Sequence, residues 1–124
     1  MIRGIGIDVV HVRRLEKWIG KSGLLERFFH PDELKLSLSR GKGAALSLAA
    51  RFAAKEAFGK ALGTGLAGIV LKDILVVNSH NGKPEIRVFS TAKAALLKAG
   101  VSRVHVSLTH ERDNAIALIV LETG

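Results

Sequence analysis

The chain has 124 residues, no cysteine, and a formal charge of +8 from nineteen Lys and Arg against eleven Asp and Glu. That length predicts a single domain over 1–124, large enough to fold without staples, and the lack of thiols excludes disulfides and cysteine catalysis. The charge favours an acidic partner, whether nucleic acid, an anionic membrane, a phosphorylated small molecule or an acidic protein.

Residues 2–10 alternate as a strand, with Ile5, Ile7 and Val9 on one face and Gly4, Gly6, Asp8 and Val10 on the other. Asp8 interrupts the apolar run and no small-residue cleavage site follows, so no signal peptide is expected. No window approaches the roughly 20 apolar residues of a membrane span. The expectation is a soluble, cytoplasmic protein without a membrane partner.

HVRRLEKWIGKSG then reads as a short amphipathic helix, with Val12, Leu15, Trp18 and Ile19 at helical spacing and Arg13, Arg14, Lys17 and Lys21 on the polar side. His30-Pro31-Asp32-Glu33 opens another helix, supported by Leu34, Leu36 and Leu38. SRGKG is a basic break, and residues 44–62 form the longest helix, rich in alanine. GTGLAG follows as a glycine-rich exit. ILVVN and EIRVF make a hairpin around Asn81-Gly82, STAKAALLKAG is a helix, and VSRVHVSLTH and NAIALIVLE are two closing strands. The last is apolar on both faces, as in a central strand. This order predicts an α+β fold with a mainly antiparallel sheet packed on the long helix.

The chemistry-bearing residues concentrate in RFAAKEAFGKALGTG, residues 51–65. At 100° per residue, Phe52, Glu56 and Lys60 share one row, with Arg51, Lys55 and Leu62 beside it. Glu56 and Lys60 are either an exposed pair or a charged row facing a cleft. Asp8 is either a turn or cap residue or a ligand on a strand face with little side-chain bulk. Two carboxylates in one cleft repel unless one is protonated or a cation sits between them, and magnesium suits such a pair. Gly63 and Gly65 offer backbone N–H groups to a passing phosphate, or merely cap the helix. His110 is a cleft-rim group or a solvated strand end.

GIGIDVV, RFAAKEAFGKALGTG, NGKP and VSLTH with the following Ala-rich strand together resemble the holo-acyl-carrier-protein synthases, the short bacterial class of 4'-phosphopantetheinyl transferases. The resemblance covers nearly the whole chain as a single half-length unit of that fold. It implies Mg2+-dependent transfer of the phosphopantetheine of coenzyme A to a serine of apo acyl carrier protein, releasing 3',5'-ADP. By position, Asp8 and Glu56 would hold the metal and Lys60 would stabilise the reacting phosphate. Glu56 or a water on the metal would take the serine proton. Arg51 would bind the 3'-phosphate, Asn81, Gly82, Lys83 and Pro84 would lie near the adenine, and Thr109 and His110 would stand at the nucleotide end in a binding or polarising role, His110 among the catalytic residues. Arg14, extended by Arg13, Lys17 and Lys21, would meet the acidic carrier. The resemblance also implies a homotrimer with active sites between subunits. His11 departs from it, since a glutamate is frequent there.

Two other readings compete. A small basic nucleic-acid-binding module would explain the charge, though few aromatic residues are available for stacking and no nucleic-acid motif occurs. A non-catalytic subunit would use the Ala-rich helix only for assembly.

Overall fold

A computed structural model describes all residues, 1–124. Strand β1 (Ile2–His11) leads into helices α1 (Val12–Ile19), α2 (Leu25–Phe28), α3 (Pro31–Leu38) and α4 (Ala44–Leu62). Then come β2 (Ile74–Asn78), β3 (Pro84–Val88), α5 (Ser90–Lys98), β4 (Val101–Glu111) and β5 (Asn114–Thr123). The strands form two antiparallel sheets, β1-β5-β4 and β2-β3. The α+β expectation holds, and β5 is central as its two apolar faces predict. The short helix α2 is an element the sequence pattern did not disclose. No helix is long and apolar enough to cross a membrane.

Helix α4 packs on the three-stranded sheet. Its alanines Ala49, Ala53, Ala54 and Ala57 are fully buried, and β5 turns Ala115, Ala117, Ile119 and Leu121 towards it. On β1 the small residues face inward. A Cβ on Gly4 would stand 1.9 Å from the Ala61 carbonyl oxygen, and one on Gly6 would stand 2.0 Å from that of Ala57. Helix backbone thus rests directly on strand backbone, a distance only glycine permits. Consequently Ile5, Ile7 and Val9 project outward and remain more than half exposed.

Two local features invert a simple apolar-in reading. In α3 the buried residues are Glu33 and Ser37, whereas Leu36 and Leu38, expected to support the helix, are exposed. His30 caps α3: its Nδ1 accepts from Asp32 N, and Glu33 Oε1 accepts from His30 N in return. The hairpin expected at Asn81-Gly82 is present, but its loop spans 79–83 between the paired Asn78 and Pro84. A tight two-residue turn is not used.

Candidate active site

Helix α4 carries three charged groups that the fold treats differently. Lys55 is fully buried with Glu33: its Nζ donates to Glu33 Oε1 at 2.7 Å and to the carbonyls of Leu71 and Ile74. Glu33 Oε2 also accepts from Val76 N. Burial pushes the Lys55 ammonium down from its ordinary range, against the pull of Glu33. Lys55 therefore ties α4 to α3 and the start of β2, and faces no cleft.

One residue on, Glu56 points the other way, towards β1. Lys60, one turn later, donates from Nζ to Asp8 Oδ1 at 2.8 Å and to the Ile7 carbonyl at 3.1 Å. Asp8 is mostly covered, with 17% of its side chain exposed, and Lys60 is open at 55%. The glycines of β1 explain the proximity, because they let the strand approach α4 closely enough for Asp8 to reach this row. The hydrogen bond to Asp8 raises the Lys60 ammonium. Partial burial first, then the Asp8 charge, push the Glu56 carboxyl up, opposed by Arg14 and Lys60. Glu56 has no ion-pair partner in the chain.

This donor set fits a hard divalent cation. It offers two neighbouring carboxylates, one without a partner, and no soft ligand. No cluster of three or more His, Cys, Asp or Glu that could hold a metal ion exists, so water and phosphate oxygens would have to complete the shell of a cation bound here.

A second region lies around Arg51. A cleft of about 320 Å³ is lined by Arg40, Ser47, Arg51, Asn78, Thr109 and His110, among others. Arg51 is almost completely buried; its guanidinium donates to Ser47 Oγ at 2.9 Å and to Asn78 Oδ1 at 3.0 Å, while its Nε has no partner. Burial pulls its pKa down. Asn78 Nδ2 donates in turn to the Gly82 carbonyl, so this carboxamide joins the arginine to the Asn81-Gly82-Lys83-Pro84 turn. Within the turn, Asn81 Oδ1 accepts from Lys83 N at 3.3 Å and from the Ser79 hydroxyl. Asn78, Ser47 and Arg40 were not singled out from the sequence. The only signal was Asn78 at a strand end beside a polar turn.

The two regions stand apart. Asp8 and Leu108 share a cross-strand row through Ala117, so β5 separates them by two strand spacings, about 10 Å. Arg51 and Glu56 project about 140° apart around α4. Arg51 and the Glu56–Lys60 row thus face different sides of α4 within one chain.

The remaining candidates fall into place around these regions. Gly63 and Gly65, both at positive φ, cap α4: their amides donate to the carbonyls of Lys60 and Gly59. Neither N–H is free for a phosphate. His11 caps α1, its Nδ1 accepting from Arg13 N at 3.3 Å, so the departure from glutamate retains a side-chain acceptor at the helix start. Beside it His11, Arg13, Arg14, Lys17, Trp18 and Lys21 line a shallow basic groove.

A family model described as the 4'-phosphopantetheinyl transferase superfamily matches residues 4–119. A holo-[acyl-carrier-protein] synthase of Treponema denticola is 58% identical over 122 residues, covering 98% of this chain and 99% of that protein. The crystal structure of a holo-[acyl-carrier-protein] synthase from Neisseria meningitidis has a TM-score of 0.88 at 37% identity, covering 99% and 100% of the two chains. The corresponding structure from Bacillus anthracis, in complex with CoA (3',5'-ADP), has a TM-score of 0.83 at 34% identity, covering 100% and 99%. The chain belongs to the 4'-phosphopantetheinyl transferase superfamily, in its holo-[acyl-carrier-protein] synthase branch.

Proposed function

We propose that this chain, as one unit over 1–124, transfers 4'-phosphopantetheine from coenzyme A to a serine hydroxyl of apo acyl carrier protein, releasing adenosine 3',5'-bisphosphate, with magnesium held by Asp8 and Glu56. The observation that carries the reading is the row in which Asp8, Glu56 and Lys60 meet between β1 and α4. Bound there, magnesium would offset the charge of the pyrophosphate. Lys60, fixed at its Nζ by Asp8, supplies a positive point charge to the phosphoryl oxygens as the serine oxygen bonds to phosphorus and the bridging oxygen leaves with the nucleotide. Glu56, which stands in this row, or a water on the metal would accept the serine proton.

Arg51, with Thr109, His110 and the Asn81–Pro84 turn, is assigned to the nucleotide end, the fixed guanidinium meeting the 3'-phosphate. The basic side of α1 is assigned to the acidic carrier. Because these regions flank α4 on different sides, a single chain presents half of the site at each edge of its sheet. We propose a homotrimer in which the β1 side of one copy meets the β4 side of the next, a head-to-tail contact that closes as a ring. The exposed Ile5, Ile7, Val9 and Leu118 on the outer sheet face support it. Sedimentation at three times the chain mass is expected; a monomer at working concentration contradicts the assembly.

The transfer itself is tested by mass spectrometry of apo carrier protein incubated with the protein, coenzyme A and magnesium. A gain of one phosphopantetheine is expected. An unchanged mass across several carriers, with active coenzyme A and metal present, rejects the reading.

A further inference from the structure

Arg14 is placed by ring faces. Its guanidinium carbon lies 5.0 Å from the centroid of the Trp18 ring and 5.2 Å from that of Phe52. Trp18 is one turn along α1, while Phe52 belongs to α4, so the contact bridges two helices. The rings hold one another: Trp18 and Phe52 meet edge to face at 5.1 Å and 89°, and Phe28 closes on them at 5.2 and 5.9 Å. Arg14 has no ion-pair partner in the chain. Stacking on these rings, beside the Glu56 charge, therefore orients it, with its planar fork of donors making no hydrogen bond within the chain.

The neighbouring cations differ. Arg13, Lys17 and Lys21 line the same groove but stand over no ring. Long flexible side chains of this kind lose rotamer freedom when they bind a partner, whereas a stacked guanidinium has lost it beforehand. Phe52 also lies one turn before Glu56 on the same row of α4, so the arginine is parked at the approach to the Asp8–Glu56–Lys60 row.

We propose that Trp18 and Phe52 form an aromatic shelf that sets the Arg14 guanidinium in position for an acidic side chain of the carrier protein, and that Trp18 is thereby a positioning residue for carrier capture. This rests on the reading that α1 docks the carrier. Arg14 supplies the directional contact, and Arg13, Lys17 and Lys21 supply long-range attraction. Trp18 acts through Arg14, so its contribution vanishes when Arg14 is absent.

The test is a double-mutant cycle on steady-state kinetics with apo carrier and coenzyme A, using Arg14→Ala, Trp18→Leu and both together, with Trp18→Phe as the conservative variant. Trp18→Leu is expected to raise the carrier KM roughly three- to fivefold, the scale of one cation–π contact, with the KM for coenzyme A unchanged. Trp18→Phe is expected to retain most of the wild-type carrier KM, and Trp18→Leu to add less than about twofold in the Arg14→Ala background. An equal rise in both backgrounds, or a parallel rise in the coenzyme A KM, overturns the positioning role while transfer itself still proceeds. If wild-type protein modifies no carrier at all, the underlying reading falls instead. Should Trp18→Leu fail to fold, wild-type fluorescence decides, since Trp18 is the sole tryptophan. Its emission is expected to change as carrier saturates, and to change less in Arg14→Ala; no change in wild type overturns the proposal.

Discussion

Helix α4 contains two lysines five residues apart that live in opposite surroundings. Lys55 is sealed with Glu33 beneath α3 and β2, both side chains fully buried; Lys60 is half in water beside Asp8 and the partner-free Glu56. In the sealed region every charge is met by another charge or a carbonyl, leaving nothing with which to bind a ligand. In the open region carboxylate and ammonium groups crowd together, and one carboxylate is left raised and unpaired. The same residue types therefore serve architecture where the chain surrounds them and are left available to a ligand where it stops short.

That contrast depends most on the contact between β1 and α4, so the largest expected effect comes from Gly6→Ala. Its Cβ would meet helix backbone at 2.0 Å, and neither the Ala57 carbonyl nor the strand can withdraw without undoing the sheet-on-helix packing. Urea unfolding is expected to show a loss of about 4 kcal/mol or more, or no folded protein. A stable Gly6→Ala with normal activity would mean that this approach does not place Asp8.

Lys55→Met is expected to come next, costing about 3–5 kcal/mol because Glu33 is left buried without its cation. Adding Glu33→Gln should recover part of the loss. If Lys55→Met unfolds at the wild-type urea midpoint, the sealed pair is not structural and the contrast fails. Lys60→Ala is expected to leave that midpoint unchanged while slowing transfer.

Much of this architecture was legible in the sequence. The alternation of β1, the two apolar faces of β5, the Asn81-Gly82 hairpin and the long alanine helix each follow from local pattern, and the structure has all four. Pattern could not say which face of β1 points inward, because a rule that large apolar residues are buried favours Ile5 and Ile7. Backbone-to-backbone packing on glycine reversed it. Nor could helical spacing tell Lys55 from Lys60, since an angle around a helix does not reveal what lies beyond it. Glu33 marked itself only as the third residue of a cap opened by His30, with no hint of its partner 22 residues on. The 140° between Arg51 and Glu56 was available by arithmetic, yet the resemblance drew both towards one ligand. Only the fold, with β5 and α4 between them, puts the Asp8 row and the Arg51 cleft at separate edges.

The central claim is that the open row carries the transfer and does nothing essential for the fold. It is tested most directly by the time course of carrier mass gain with Glu56→Gln at saturating coenzyme A and magnesium, alongside its unfolding temperature without metal or coenzyme A. Removing this carboxylate relieves the repulsion with Asp8, so the unfolding temperature is expected to be unchanged or higher, while the rate falls roughly 100-fold or more. A Glu56→Gln protein that modifies the carrier at the wild-type rate would contradict the account.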